Sequence, residues 1–161
     1  MSPTSKGSKQ EPEPLADLDS SAYRFAIAAG RFNQEIVDRL LEGALSALEK
    51  TGTPRDGVKV VRVPGAFELP LAAQRLALNC DAVIALGCVI RGETPHFEYV
   101  SQAAAQGLER VSLDSGIPVG FGVLTTDNVA QAQARAGGEV GNRGYDAAIA
   151  AIEMLQSLRG L

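Results

Sequence analysis

The run AVIALGCVI at residues 82–90 is almost wholly apolar, the composition of a central strand in a parallel sheet covered on both faces. Its context repeats along the chain. YRFAIAA, from Tyr23, is a short apolar strand followed by GRFN and then by QEIVDRLLEGALSALEK, where Ile36, Val37, Leu40, Leu41, Ala44, Leu45 and Leu48 recur at helical spacing. VKVVRV (58–63) is followed by PGAFE and a helix, LPLAAQRLALN, to about Asn79. AVIALGCVI leads through RGETPHF into a helix to about Asp114. VGFGVLTT is followed by a helix from about Asp127 to Ala136, a GGEVGN loop and a last helix, RGYDAAIAAIEMLQSL.

Four strand-then-helix rounds with right-handed crossovers predict an α/β fold: a three-layer αβα domain with a doubly wound, four-stranded parallel sheet, flavodoxin-like. Asn33 is the expected N-cap of the first helix and Gly52 its stop. Residues 1–21, rich in Ser, Pro and mixed charge, read as a flexible N-terminal tail, and 22–161 as a single domain. With 161 residues, 45% of them apolar, one core is expected. A net charge of -4 argues against nucleic acid as a partner. No apolar run approaches the ~20 residues that span a bilayer, and no signal-peptide pattern opens the chain, so no membrane and a cytoplasmic location are expected. Cys80 and Cys88 lie at the two ends of one strand, roughly 25 Å apart at ~3.3 Å per residue, and cannot pair. One histidine and two separated cysteines give no metal-ligand spacing.

In such a sheet ligands bind outside the carboxyl ends of the strands, so the loops GRFN, PGAFE, RGETPHF and TTDN form one rim. The first three carry Phe32, Phe67 and Phe97, in a chain with five phenylalanines and no tryptophan, and suggest a site for a flat ring. Thr94 followed by Pro95 reads as a helix start, with Gly92 permitting a sharp turn before it. A helix N-terminus suits an anion, phosphate above all. The sole histidine, His96, falls in the first turn of that helix, where it could be structural or could serve as general acid and base. Glu68 opens a helix after Gly65 and could bind ring N–H groups, or simply complement the helix dipole. Arg135 and Arg143 end one helix and start the next, and spacing alone assigns neither a role. The dinucleotide and P-loop fingerprints are absent. The residues therefore describe a crevice for a flat heterocycle plus a phosphate, with one histidine.

GRFN, VPGAFELP, ALGCVIRGETPHFEYV, GVLTTDN, ARAG and GNRG stand in one collinear order over residues 23–158, and in this the chain resembles the lumazine synthase family. The resemblance implies condensation of 5-amino-6-ribitylamino-uracil with 3,4-dihydroxy-2-butanone 4-phosphate to 6,7-dimethyl-8-ribityllumazine. Phosphate and water are released, no cofactor is required, and this is the penultimate step of riboflavin biosynthesis. Residue by residue, Phe32 matches the aromatic that stacks on the pyrimidine. Asn33, Ala66, Phe67 and Glu68 match the lining of the pyrimidine and ribityl pocket, and Cys88, Val89 and Ile90 its strand-end wall. Glu93 and Thr94 match the phosphate turn, His96 the catalytic acid and base, and Arg135 the phosphate-binding arginine.

The resemblance also implies that Phe121 and Arg135 reach the pocket from a neighbouring subunit of a homo-oligomer. Arg143 stands where many members carry Lys, keeping the charge but not the donor geometry. The short loop GGEVGN is that of members which build icosahedral capsids from pentamers, with Glu139 and Val140 in place of the more usual Lys and Ala. A shell of homopentamers is the favoured expectation, free pentamers the rival, and riboflavin synthase a candidate partner. The competing functions are a non-catalytic flavin-binding or shell-forming paralogue, and a generic phosphate-ligand module.

Overall fold

The computed structural model describes residues 17–161. Four parallel strands, β1 (Phe25–Gly30), β2 (Lys59–Val63), β3 (Ala82–Ile90) and β4 (Val119–Thr126), lie in the order β2-β1-β3-β4. Five helices connect and flank them: α1 (Gln34–Thr51), α2 (Leu69–Leu76), α3 (His96–Ser115), α4 (Val129–Arg135) and α5 (Arg143–Leu158). The α/β, flavodoxin-like three-layer expectation holds. Sheet order reverses between β1 and β3, which puts the switch-point crevice at their carboxyl ends.

The period-two pleat divides the core. β1 sends Phe25, Ile27 and Ala29 to one face and Ala28 to the other, while β3 sends Ala82, Ile84, Leu86 and Cys88 to the first and Val83, Ala85 and Val89 to the second. α1 and α5 cover the first face with Leu40, Leu48, Ile152 and Leu155, and α2 and α3 cover the second with Leu69, Ala73, Ala104 and Leu108. Each fully buried Leu or Ile adds about 1.5–3 kcal/mol. α5 seats against its neighbours through missing side chains. A Cβ at Gly144 would run into the Leu40 backbone, and one at Gly120 would stand 2.6 Å from the Ala147 carbonyl oxygen.

Several local expectations change. α2 ends at Leu76, with hydrogen-bonded turns continuing to Asn79. The loop after α4 folds back as an antiparallel hairpin of β5 (Ala136–Gly138) and β6 (Gly141–Asn142), which glycines at φ 93° and 97° permit. Of the expected tail 1–21, residues 1–16 lie outside the described residues, whereas 17–21 are docked. Leu18 is buried in the α1 and α5 core, and Ser20 is fully buried. Ser20 N–H donates to Thr51 O (2.9 Å), its hydroxyl lies 2.7 Å from that of Thr53, and Thr51 Oγ1 donates to it at 2.9 Å. This pairing follows from contacts with the end of α1 that the composition of the first 21 residues does not show. Among the described residues no helix is long and apolar enough to cross a membrane.

Candidate active site

Asn33 is where the crevice begins. It sits at φ 58°, the only non-glycine residue in the left-handed region among those described, a conformation Asn tolerates better than most. It precedes α1 as expected, but its side chain caps nothing. Instead Nδ2 donates to the Cys88 carbonyl at 2.9 Å, spanning the switch point from the loop after β1 to β3. That loop is also fastened to the end of β2, by Arg31 N–H to Val63 O (2.8 Å) and Phe32 N–H to Pro64 O (3.0 Å).

The next loop closes on it. Ala66, Phe67 and Glu68 form a single 3-10 turn, in which Ala66 is buried beneath the rim and Phe67 and Glu68 are exposed. A Cβ at Gly65 would lie 3.6 Å from Glu68 Oε2 and 3.8 Å from Phe32 Cβ, so Gly65 brings the carboxylate and the phenyl ring to adjacent positions. Phe32 and Phe67 expose 71% and 63% of their surface, unusual for large apolar side chains on a folded shelf. Cys88 and Val89 are buried and Ile90 half-buried, making the floor at the end of β3. Burial pushes the Cys88 thiol up to about 11, so it stays neutral and acts as an apolar wall.

The turn after β3 carries Glu93, Thr94 and His96, all exposed. α3 begins at His96, and its cap residue is Pro95, φ -69° and ψ 4°, with no side-chain cap. Thr94 is therefore not the N-cap that its sequence suggested, because the chain turns one residue later. The first amides of α3 still lack helical acceptors, although Glu98 N–H is spent on Pro95 O (3.0 Å). Phe97 departs from the expected rim. It packs against the α2 and α3 core, and the Arg91 guanidinium lies over its ring at 4.5 Å. Arg91, to which the sequence reading gave no role, also donates to Glu98 and Asp127.

Two expected residues, Phe121 and Arg143, lie apart from this group. Phe121 is the third residue of edge strand β4, level with Ala85 rather than with the strand ends, and is 49% exposed. It lines a groove with Met154 and Arg143, whose Nη1 donates to Asp146 Oδ2 at 3.3 Å. Arg135 ends α4, with Nη1 on the Gln131 carbonyl at 3.1 Å. The single chain thus assembles Phe32, Asn33 and Ala66–Glu68 over the floor of β3 beside the His96 turn, and it holds Phe121 and Arg143 elsewhere. No cluster of three or more metal-ligating side chains occurs among the described residues.

A sequence model of the family described as 6,7-dimethyl-8-ribityllumazine synthase matches residues 22–159. A 6,7-dimethyl-8-ribityllumazine synthase of Syntrophus aciditrophicus (strain SB) is 54% identical over 144 residues, covering 88% of this chain and 94% of that one. One from Nitratidesulfovibrio vulgaris (strain DP4) is 51% identical over 146 residues, covering 89% and 94%. Among solved structures, the ABC domain in complex with L-Trp from Streptococcus pneumonia aligns at a TM-score of 0.43 and 16% identity. It covers 91% of this chain and 44% of that one, and carries no weight for fold or function.

Proposed function

This chain belongs to the 6,7-dimethyl-8-ribityllumazine synthase family, and from that premise we propose how its rim performs the reaction. The protein is a transferase that joins 5-amino-6-ribitylamino-uracil to 3,4-dihydroxy-2-butanone 4-phosphate. The observation that carries the residue assignment is the shelf at the switch point. Two exposed phenyl rings and a carboxylate stand over a buried apolar floor, next to the start of a helix bearing the sole histidine.

The pyrimidine stacks on Phe32, with Phe67, Ala66 and Glu68 around it and Asn33 towards the ribityl chain. Cys88, Val89 and Ile90 exclude water from beneath. The phosphate of the second substrate lies against Glu93, Thr94 and the open amides at the start of α3, where the helix dipole favours negative charge. His96 then moves protons as the amine adds to the ketone, as phosphate leaves and as the ring closes. Holding amine and ketone in attack geometry supplies much of the acceleration, worth ~7–11 kcal/mol in well-oriented pairs.

Arg135 completes the phosphate site, and Phe121 the aromatic one, from a neighbouring subunit. Phe121's place on the outer edge of β4, away from its own chain's rim, supports that arrangement. Apolar side chains exposed on two sides of the chain support an oligomer, Leu71 and Leu78 beside the α2 and α3 groove and Phe121 and Met154 beside α5. We take the assembly to be a homopentamer, with pentamers joined into an icosahedral shell, in the cytoplasm, and riboflavin synthase as its candidate partner. Arg143 stays with Asp146 in this reading and its contact with phosphate is secondary.

The direct test is lumazine formation followed by absorbance with both substrates present, for the assembled protein and for His96→Ala. Product from the former and a ~100- to 10,000-fold lower kcat in the latter is the expected result. Equal rates would remove His96 from the chemistry.

A further inference from the structure

We propose that Arg91 is a positioning residue for the His96 turn, holding that turn in its working geometry by gripping both the first turn of α3 and the loop after β4. The inference rests on the reading of His96 given above.

Arg91 is the first residue beyond β3, five positions before His96. Its backbone N–H donates to Thr126 O at 2.8 Å, extending the β3–β4 pairing by one step. Its side chain then does three things at once. Nη1 donates to Glu98 Oε1 (2.9 Å), Nε donates to Asp127 Oδ1 (3.0 Å), and the guanidinium plane lies over the Phe97 ring at 4.5 Å. Phe97 and Glu98 directly follow His96 in the first turn of α3. Asp127 is itself held, because its N–H donates to Gln131 Oε1 (2.8 Å) while Asn128 caps the same turn by accepting from Gln131 N–H (2.8 Å). Between the two anchors, the turn of Gly92 to Pro95 has no buried side chain of its own. The position of the imidazole is therefore set from its two ends, and Arg91 clasps both.

Global stability does not explain this arrangement. Side chains of all three charged partners are roughly half exposed, at 46%, 53% and 65%, and ion pairs of that kind contribute little to folding. The hydrogen bonds to Glu98 and then to Asp127 raise the affinity of Arg91 for its proton, and it stays charged. Lysine cannot reproduce the clasp, since an ammonium lacks the planar fork that meets two carboxylates while lying flat on a ring. A displacement of about 1 Å at a catalytic group can cost ~100-fold in rate. Substitution at Arg91 also leaves its backbone bond to Thr126 in place, so the side-chain grip is removed alone.

The experiment measures kcat and both KM values for the assembled wild type, Arg91→Lys, His96→Ala and the double variant. Oligomer mass and thermal unfolding are measured alongside. Because charge is kept in Arg91→Lys, the expected result is a ~10- to 100-fold lower kcat with KM for the pyrimidine within about twofold and assembly unchanged. In the His96→Ala background the same substitution should cost less than about twofold more, since the two residues act as one unit. The inference is overturned if Arg91→Lys keeps its kcat within about twofold, if its loss multiplies with that of His96→Ala, or if the variant loses its assembled mass. Should His96→Ala itself leave kcat unchanged, the reading of His96 falls first, and the positioning role with it. Glu98→Gln and Asp127→Asn give the same comparison from the other end of each contact, and each should lower kcat without moving the pyrimidine KM.

Discussion

The two halves of the rim are built by different means. Around Phe32 and Phe67 the loops are tied by main-chain bonds and by one amide, with Arg31 on Val63, Phe32 on Pro64 and Asn33 on Cys88, over the buried Ala66 and Cys88. Around His96 the backbone bonds from Arg91 to Thr126 and from Glu98 to Pro95 are supplemented by half-exposed charged side chains. A flat ring needs a shelf that does not yield. A turn with the roles proposed here, accepting a phosphate and passing protons through several steps, needs positions that can be tuned. Substitutions in the first half should therefore register as stability, and those in the second as rate.

Reactivity of the floor offers the sharpest contrast. With its thiol pushed up to about 11 from an ordinary 9.0, Cys88 should alkylate about 100-fold more slowly at pH 8 than a free thiol, from its thiolate fraction alone. Quantitative labelling of Cys88 in the native protein at that pH would break the picture of a closed floor. The neutral thiol's advantage is present below pH 9, where the unfolded chain also keeps its proton, and it is lost as pH rises towards 11.

The amide tie comes next. Asn33→Ala should cost about 2–3 kcal/mol, roughly 1–2 from the left-handed backbone and about 1 from the bond to Cys88. Asn33→Gly should recover the first part, because glycine accepts φ 58° freely. Denaturant unfolding of the pair separates the two contributions, and equal stability of both variants would mean that backbone conformation is not what Asn33 supplies. The smallest effect belongs to the other half. Glu98→Gln should change unfolding stability by less than about 1 kcal/mol, whatever it does to turnover, and a larger loss would make the His96 side structural after all.

The layers of the fold were legible because burial on two faces writes itself into composition. β3 runs over Ala82–Ile90, the bounds of its apolar run, and β4 over Val119–Thr126 likewise. Phe32, Glu68 and His96 were legible as rim residues because strand ends are. What escaped were features decided by partners distant in sequence. Asn33 looks like a cap but answers to Cys88, 55 residues away, and Ser20 looks like tail but answers to Thr51 and Thr53. Thr94 looks like a cap but α3 starts after Pro95, and Phe97 looks like a rim aromatic but packs inward under Arg91. Arg91 itself lies within the matched motif, yet only the positions of Glu98 and Asp127 show what it does.

Phe121, stranded on the outer edge of β4, has a genetic consequence. In the arrangement proposed above, the pocket takes His96 from one chain and Arg135 and Phe121 from the next in a closed ring, and is owned by no single copy. Protomers carrying His96→Ala and protomers carrying Arg135→Ala are then defective in opposite walls. When the two are denatured together and reassembled, some pockets should receive both intact walls. Two alleles that fail separately would complement each other within one oligomer, whereas subunits with self-contained sites would stay as inactive mixed as apart.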